Sequence, residues 1–321
     1  MDTPISEIIS LIMSEKLLML RSSYNELHFL YNPERNRVQL ETQLPNALIK
    51  SYEQQKTENL QQIMQVESTA ERSLLTCNYD STEIPEGSLA FHQIVGPIIS
   101  DSRWWFSTMQ FERDIIAAEA NPQICAHFIL LKSPGGDAYY LDEVSRTLRS
   151  CKKPIYAFVR QICASAAYYI ACHATVIKAN TVNDIIGSIG TKVSFLDWES
   201  YYAKEGLKRV EVYASNSKLK DKKFNDLIEG KHKKFIEDEL DPLNNQFMNE
   251  VKSCRPVIGS MGFDNPVLQG ETFRAELALT DQCGLIDGIT SLDTAISEAT
   301  ALAQKFLKKR NESRQGITKY L

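Results

Sequence analysis

The sequence predicts an α/β domain with parallel crossovers, and three observations predict it. From about Ile84 onward, apolar runs of strand length recur along the chain. Longer stretches of helical period separate several of them, the order that βαβ units require. Hydrophobic residues make up 43% and charged residues 24% of 321, ordinary values for a chain that buries a core. At roughly 150 residues per domain, that length suggests about two domains, although α/β folds often exceed 200 residues as one.

Residues 1–80 differ from the rest and form an appendage, helical or partly disordered. Ile5, Ile8, Ile9, Ile12 and Leu20 are spaced by three, four and eight, which suggests an amphipathic helix. Ser51 to Arg72 is rich in Gln and Glu with few large apolar residues, a weak solvated helix or a linker. The expected strands follow at Ser88 to Val95, Ile124 to Leu131, Ile155 to Val159, Thr175 to Lys178, Lys192 to Leu196 and Val210 to Ala214. Phe224, Leu227, Ile228, Phe235, Leu240, Leu243, Phe247 and Val251 keep a rough three-four period, which predicts a long amphipathic helix broken or kinked at Pro242. A last helix, Ser291 to Ala303, is expected to fray into a basic tail over 304–321. No internal repeat is present.

Charge and cysteine usage exclude several classes. Lys plus Arg number 36 against 41 Asp plus Glu, and a net charge of −5 lacks the basic excess of a dedicated nucleic-acid binder. The seven cysteines are scattered, odd in number and without a C-x-x-C pair, so neither a disulfide framework nor a metal site is expected, and no cofactor is implied. The apolar stretch Ile5 to Leu20 is interrupted by Glu7, Glu15 and Lys16, short of the ~20 apolar residues a membrane span needs. With no signal peptide or membrane anchor recognised, the cytoplasm is the expected compartment.

Two segments carry chemistry. Phe128 to Ser145 reads FILLKSPGGDAYYLDEVS: a strand ending at Lys132, a turn at Ser133-Pro134-Gly135-Gly136, then a helix. Adjacent glycines let a substrate carbonyl approach the main chain, as an oxyanion hole needs, and the same residues also suit a plain strand-to-helix turn. After the strand Ile155 to Val159, Ser165 stands among Ala164, Ala166 and Ala167 where the chain should enter a helix. A serine there is either an N-cap or a nucleophile near free amides and the positive end of the helix dipole; its small neighbours leave the open space a nucleophile needs.

Together these stretches resemble the signal peptide peptidase A (SppA) family, whose fold is related to ClpP and the crotonases. The resemblance continues through Gly187-Ser188-Ile189-Gly190, through Tyr213 to Asp221 (YASNSKLKD) and through Gly270 to Ile289 (GETFRAELALTDQCGLIDGI), five ordered motifs over about Ser88 to Ala303. It implies a ClpP/crotonase-like fold of repeated β-β-α units, with residues 81–303 as the peptidase domain. Ala166-Ala167 replaces the two glycines usual in membrane-associated members, which is similar to the phage minor capsid protein C branch. That branch implies a phage or prophage protein associated with the prohead, with capsid or scaffold proteins as partners.

The residues leave the base to be found. His173 lies eight positions beyond Ser165, about 12 Å along a helix, too far for a hydrogen bond. His127 lies within a strand, and none of His28, His92, His127, His173 and His232 stands where ClpP carries its histidine. The resemblance implies a lysine instead, aligning Lys218 with it, with Lys220 as the alternative because it precedes Asp221. Most of the surrounding lysines, from Lys218 to Lys234, read as a solvated cationic run. The resemblance further implies that Ser188 orients the lysine amine, unless it is simply a turn serine, and that the amides of Gly136 and Ala166 hold the oxyanion.

The expected function is therefore a serine endopeptidase with a Ser165–Lys218 dyad, acting on peptide or protein substrates in capsid maturation or scaffold processing. By resemblance it assembles as a homo-oligomer in which the lysine can reach a neighbouring protomer's serine. A capsid-assembly protein without proteolysis and a crotonase-like acyl-CoA enzyme are the alternatives.

Overall fold

Parallel β-pairing of the apolar runs builds the domain. The computed structural model describes residues 71–318, except 103–104, 195–202, 205, 207 and 209, together with 17–19, 54 and 57–58. Its strands are β1 (Leu17–Met19), β2 (Leu75–Thr76), β3 (Ser88–Val95), β4 (Ile98–Ile99), β5 (Phe106–Ser107), β6 (Ile124–Ser133), β7 (Gly135–Asp137), β8 (Ile155–Ala164), β9 (Val176–Ala179), β10 (Ile185–Gly187), β11 (Thr272–Arg274) and β12 (Gly288–Ile289). Six helices enter the argument: α1 (Thr108–Ala120), α2 (Leu141–Ser150), α3 (Ala166–Ala171), α4 (Lys222–Ile228), α5 (Asp241–Cys254) and α6 (Leu292–Thr318).

The larger sheet runs β11-β10-β8-β6-β3-β2, parallel except where β11 turns back against β10. Central β6 is buried along nearly its whole length because helices cover both faces. On one face α6 presents Ala295, Ala299 and Ala303 around Ile296, small residues that let it approach Leu89, Phe91, Phe128, Tyr156 and Phe158. On the other, Phe111 and Ile115 of α1, with Val144 and Leu148 of α2, cover Ile94, Ile129, Leu131 and Val159.

β8 serves two partners along one edge. Its first half pairs with β9, Tyr156 opposite Val176 to Val159 opposite Ala179, and its last residues pair with β10, Ile162 opposite Ile185 to Ala164 opposite Gly187. The handover falls at Gln161, a non-glycine residue with φ +75°. A second, smaller sheet, β1-β7-β4-β5, sets β7 beside the end of β6.

The α/β class expected from the sequence is the one observed, and four of its six strands form within a few residues of the expected bounds. The other two do not. Val210 to Ala214 is irregular: among the described residues no strand pairs with it, and Val210 and Val212 are 74% and 90% exposed. Lys192 makes only an isolated bridge, and Phe195 and Leu196 lie outside the described residues. Leu17–Met19 falls within the expected N-terminal helix but is a strand, since β7 offers it an edge; Ile5, Ile8, Ile9, Ile12 and Leu20 lie outside the described residues. Ordered structure also begins before residue 81: β2 pairs with β3, and the Tyr79 hydroxyl donates to the Phe91 carbonyl at 2.6 Å. At the other end, α6 continues to Thr318 where a fraying tail was expected. Phe306 and Leu307 keep it on the core, and Arg310 donates to the Pro122 carbonyl and pairs with Glu86 at 2.9 Å. The break expected at Pro242 appears as a π-helical turn over Ile236–Leu240, with Pro242 in the first turn of α5. Among the described residues, no helix is long and apolar enough to cross a membrane.

Buried Lys153 fixes the end of α1. Its ammonium donates to the carbonyls of Ala118, Glu119 and Asn121 at 2.5, 2.9 and 2.7 Å, supplying donors and positive charge where the helix leaves both unmet. Lys153→Ala is expected to lower unfolding stability by about 3 kcal/mol, because three buried carbonyls lose their donor; a denaturant titration checks it.

Candidate active site

The site is built where β8 ends. Ala164 pairs with Gly187, so the next position in the parallel register sets Ser165 beside Ser188. The Ser165 amide donates to the Gly187 carbonyl at 2.8 Å, and Ser165 then starts α3 with φ +56° and ψ −121°. For a residue with a Cβ, such a backbone costs about 1–3 kcal/mol and persists only where its surroundings impose it. The Ser165 side chain makes no capping bond to the helix, so the N-cap role open from the sequence is not the one it takes. Every residue of α3 is buried, which anchors the turn, and Ser165 itself is 1% exposed.

Ser188 shares the same backbone habit, with φ +54° and an amide that donates to the Glu271 carbonyl at 2.7 Å. Between the serines, Gly187 has φ +111°, and a Cβ there would come within 2.9 Å of the Glu271 carbonyl oxygen. Glycine is required for that close approach. Two of the five motifs, G-S-I-G and G-E-T-F, thus meet as neighbouring strands β10 and β11, and the last of them reaches further: Asp287 pairs with Arg255 at 2.7 Å and accepts from the Ile177 amide at 2.7 Å. The G-S-I-G stretch, expected as a turn, begins on the last residue of strand β10, and Ser188, Ile189 and Gly190 follow outside it.

The glycine turn lies opposite. Ser133 donates to the Gly96 carbonyl at 2.6 Å and accepts from the Gly135 amide, which holds the chain as it leaves β6. β7 then lies between β4 and β1 and packs against α3, so Gly136 and Ala166 occupy facing elements. A Cβ at Gly136 would overlap the backbone of Ile98.

Of the residues singled out from sequence, the structure brings Ser165, Ser188 and Ala166 together, with Gly136 on the adjacent strand. It does not bring the lysines to them. Lys218 and Lys220 lie on the exposed turn that leads into α4, and neither side chain forms a hydrogen bond or ion pair with the described residues. No histidine replaces them there: His173 bonds to Glu250 and Ser145, His92 and His127 bond to each other, and His232 is exposed. His28 lies outside the described residues.

Residues 147–305, just under half of the chain, match the family model described as Peptidase family S49. It contains Ser165, Ser188, Lys218 and Lys220. No curated protein matches the chain. Among solved structures, the chain is similar to a lysine-to-alanine mutant of the 1510-N membrane-bound stomatin-specific protease in complex with a substrate peptide, at 18% identity over 66% of this chain and 78% of that one, with a TM-score of 0.39. A ClpP1 mutant from Listeria monocytogenes is 10% identical over 64% of this chain and 94% of its own, also with a TM-score of 0.39. A probable enoyl-CoA hydratase/isomerase from Mycobacterium abscessus is 13% identical over 62% and 64%, with a TM-score of 0.34.

The backbone at position 165 is separable from its hydroxyl. Ser165→Gly should raise unfolding stability over Ser165→Ala by about 1 kcal/mol, because glycine takes the positive φ without strain while both lack the oxygen. Chemical denaturation of the two variants measures the difference.

Proposed function

We propose that this S49 domain is a serine endopeptidase in which Ser165 is the nucleophile, Lys218 the base and Ser188 the residue that orients the lysine amine. The observation that carries the reading is the strained backbone of Ser165, a non-glycine residue held at positive φ between a strand end and a buried helix, with its hydroxyl left free of capping. Such a turn spends conformational energy to aim one oxygen, as nucleophile elbows do.

In the proposed reaction, the neutral Lys218 amine takes the Ser165 proton as Oγ attacks the scissile carbonyl. The amides of Gly136 and Ala166 hold the oxyanion of the tetrahedral intermediate. As the intermediate collapses, the C–N bond breaks and the lysine returns its proton to the leaving amine. Water, deprotonated by the same lysine, then attacks the acyl-serine, releasing the carboxylic acid and regenerating Ser165. Lys220 is the alternative base.

The lysine is proposed to act on the serine of a neighbouring protomer. Val210, Val212 and Leu219, the last 79% exposed, leave an apolar strip on the segment that carries Lys218. A contact between copies would cover that strip and bury the amine, and burial disfavours the ammonium form. The substrate is proposed to lie extended along β7, whose outer edge accepts a strand in the antiparallel register that β1 adopts: Leu17 opposite Asp137, Leu18 opposite Gly136 and Met19 opposite Gly135. Capsid or scaffold proteins as substrates, and a place at the prohead, rest on the resemblance to the phage capsid-protein branch.

A fluorophosphonate probe is expected to label Ser165 and to leave Ser165→Ala unlabelled and inactive. Absence of labelling in assembled wild-type protein would favour a capsid-assembly role without proteolysis, and coenzyme A binding by calorimetry would favour acyl-CoA chemistry. Lys218→Ala should be as inactive as Ser165→Ala, and retained cleavage by a folded Lys218→Ala counts against that base. If the site is shared, mixing the two inactive variants restores part of the activity once subunits exchange, whereas a site within one chain stays silent at every ratio.

Removing residues 1–20 should lower KM for an unstructured peptide several-fold, because the strand occupying the β7 edge is gone. An unchanged KM would place substrate elsewhere.

A further inference from the structure

We propose that Cys172, His173 and Cys254 form a binding site for one thiophilic divalent cation of the zinc type, which staples the C-terminal end of α3 to the C-terminal end of α5. The ligand atoms, Cys172 Sγ, a His173 ring nitrogen and Cys254 Sγ, all lie within 4.8 Å of one another. Cys172 Sγ to His173 Nδ1 is 3.6 Å, close to the separation of two ligands sharing a zinc at 2.3 Å from sulfur and about 2.0 Å from nitrogen. All seven cysteines are free thiols.

The surroundings orient the imidazole as metal-binding histidines are oriented. His173 Nε2 bonds to Glu250 Oε1 at 2.6 Å, and Nδ1 is the nitrogen that faces Cys172 Sγ. Glu250 is itself held by Ser145 at 2.7 Å and by Arg149 at 2.7 Å. A carboxylate on the far nitrogen fixes the ring and raises its basicity as a ligand. Without a cation, Nδ1 contacts the Ile170 carbonyl at 3.2 Å, a partner the cation replaces. On binding, Zn²⁺ displaces any proton from Nδ1 and from the two thiols, giving two thiolates and one neutral imidazole whose charges cancel the ion.

Access and an open position come from a cavity of about 230 Å³ lined by Arg149, Cys151, Lys153, Cys172, His173 and Cys254. Three protein ligands at the edge of a cavity leave the fourth tetrahedral position to water or to a small exogenous ligand. The site is not legible from spacing because the ligands are a Cys-His neighbour pair and a cysteine 81 residues beyond the histidine, with no C-x-x-C pair. This site lies at the opposite end of α3 from Ser165 and does not depend on the proposed peptidase reaction.

The test uses full-length protein, reduced and stripped with a chelator, then dialysed against zinc or cobalt(II). One zinc per chain should remain, the cobalt form should show a thiolate-to-metal charge-transfer band with the visible spectrum of a tetrahedral site, and the melting temperature should rise with zinc. Cys254→Ser and His173→Ala should each weaken binding at least tenfold, and Glu250→Gln by about tenfold or more. Cys254 is only partly buried, so its serine variant is the one least exposed to folding failure, and circular dichroism verifies its fold. Less than stoichiometric binding by the reduced wild type overturns the proposal, as does a folded Cys254→Ser that binds zinc as tightly as wild type. Recovery of a Cys172–Cys254 disulfide in protein that refuses zinc after reduction would replace the cation site with a redox pair.

Discussion

The hydrogen bond from the Ser165 amide to the Gly187 carbonyl is the contact on which the site depends. It extends the β8–β10 ladder one step past the last strand pair and holds Ser165 in a backbone it would otherwise avoid. Its reliability is borrowed. Gly187 is placed by β11, whose Thr272 pairs with it, and by the Glu271 carbonyl that receives the Ser188 amide. On the other side, α3 cannot unwind to relieve the turn without exposing six buried residues. Strain of a few kcal/mol is sustained because the layers on both sides would lose more by yielding.

Several polar residues around the site are structural, as the partners of their polar atoms show. Asp287 spends its carboxylate on Arg255 and on the Ile177 amide, tying β9 to the end of α5. Asp184 holds its own turn through the amides of Asn180 and Thr181 and the Thr181 hydroxyl. Asn244 of α5 accepts from the Thr191 amide, just beyond Gly190, so the chain leaving Ser188 is fixed too. These groups are engaged in holding the fold, whereas the Ser165 hydroxyl is not consumed by its own helix.

Strands were legible in the sequence wherever burial alone selected them. Ser88–Val95 appears with its expected bounds, and β6 and β8 start at the expected residues, because long apolar runs in a parallel sheet leave no other conformation. β10 was not legible as a strand: Ile185–Gly187 is three residues long and forms through the partners on either side of it. Val210 to Ala214 shows the converse, a strand-like composition that pairs with no strand among the described residues. Ser165 and Ser188 were singled out by their small neighbours and by the resemblance, and their backbones could not be read from residue type, since serine avoids the positive φ that both adopt. The Cys172–His173–Cys254 group was not legible, since its proximity comes from α5 lying across the end of α3.

β7 has a property that its sequence of two glycines and an aspartate does not advertise. Gly136 faces the Ile98 backbone so closely that no side chain fits, and only Asp137 gives the strand a side chain beyond its glycines. A substrate lying there, as proposed, would be met at Gly135 and Gly136 by amides and carbonyls, which cannot tell leucine from glutamate. On that reading selectivity at the two glycines is a matter of conformation, favouring tails, linkers and unravelled segments over the folded bodies that carry them, and preference for particular residues would have to come from the loops around the strand.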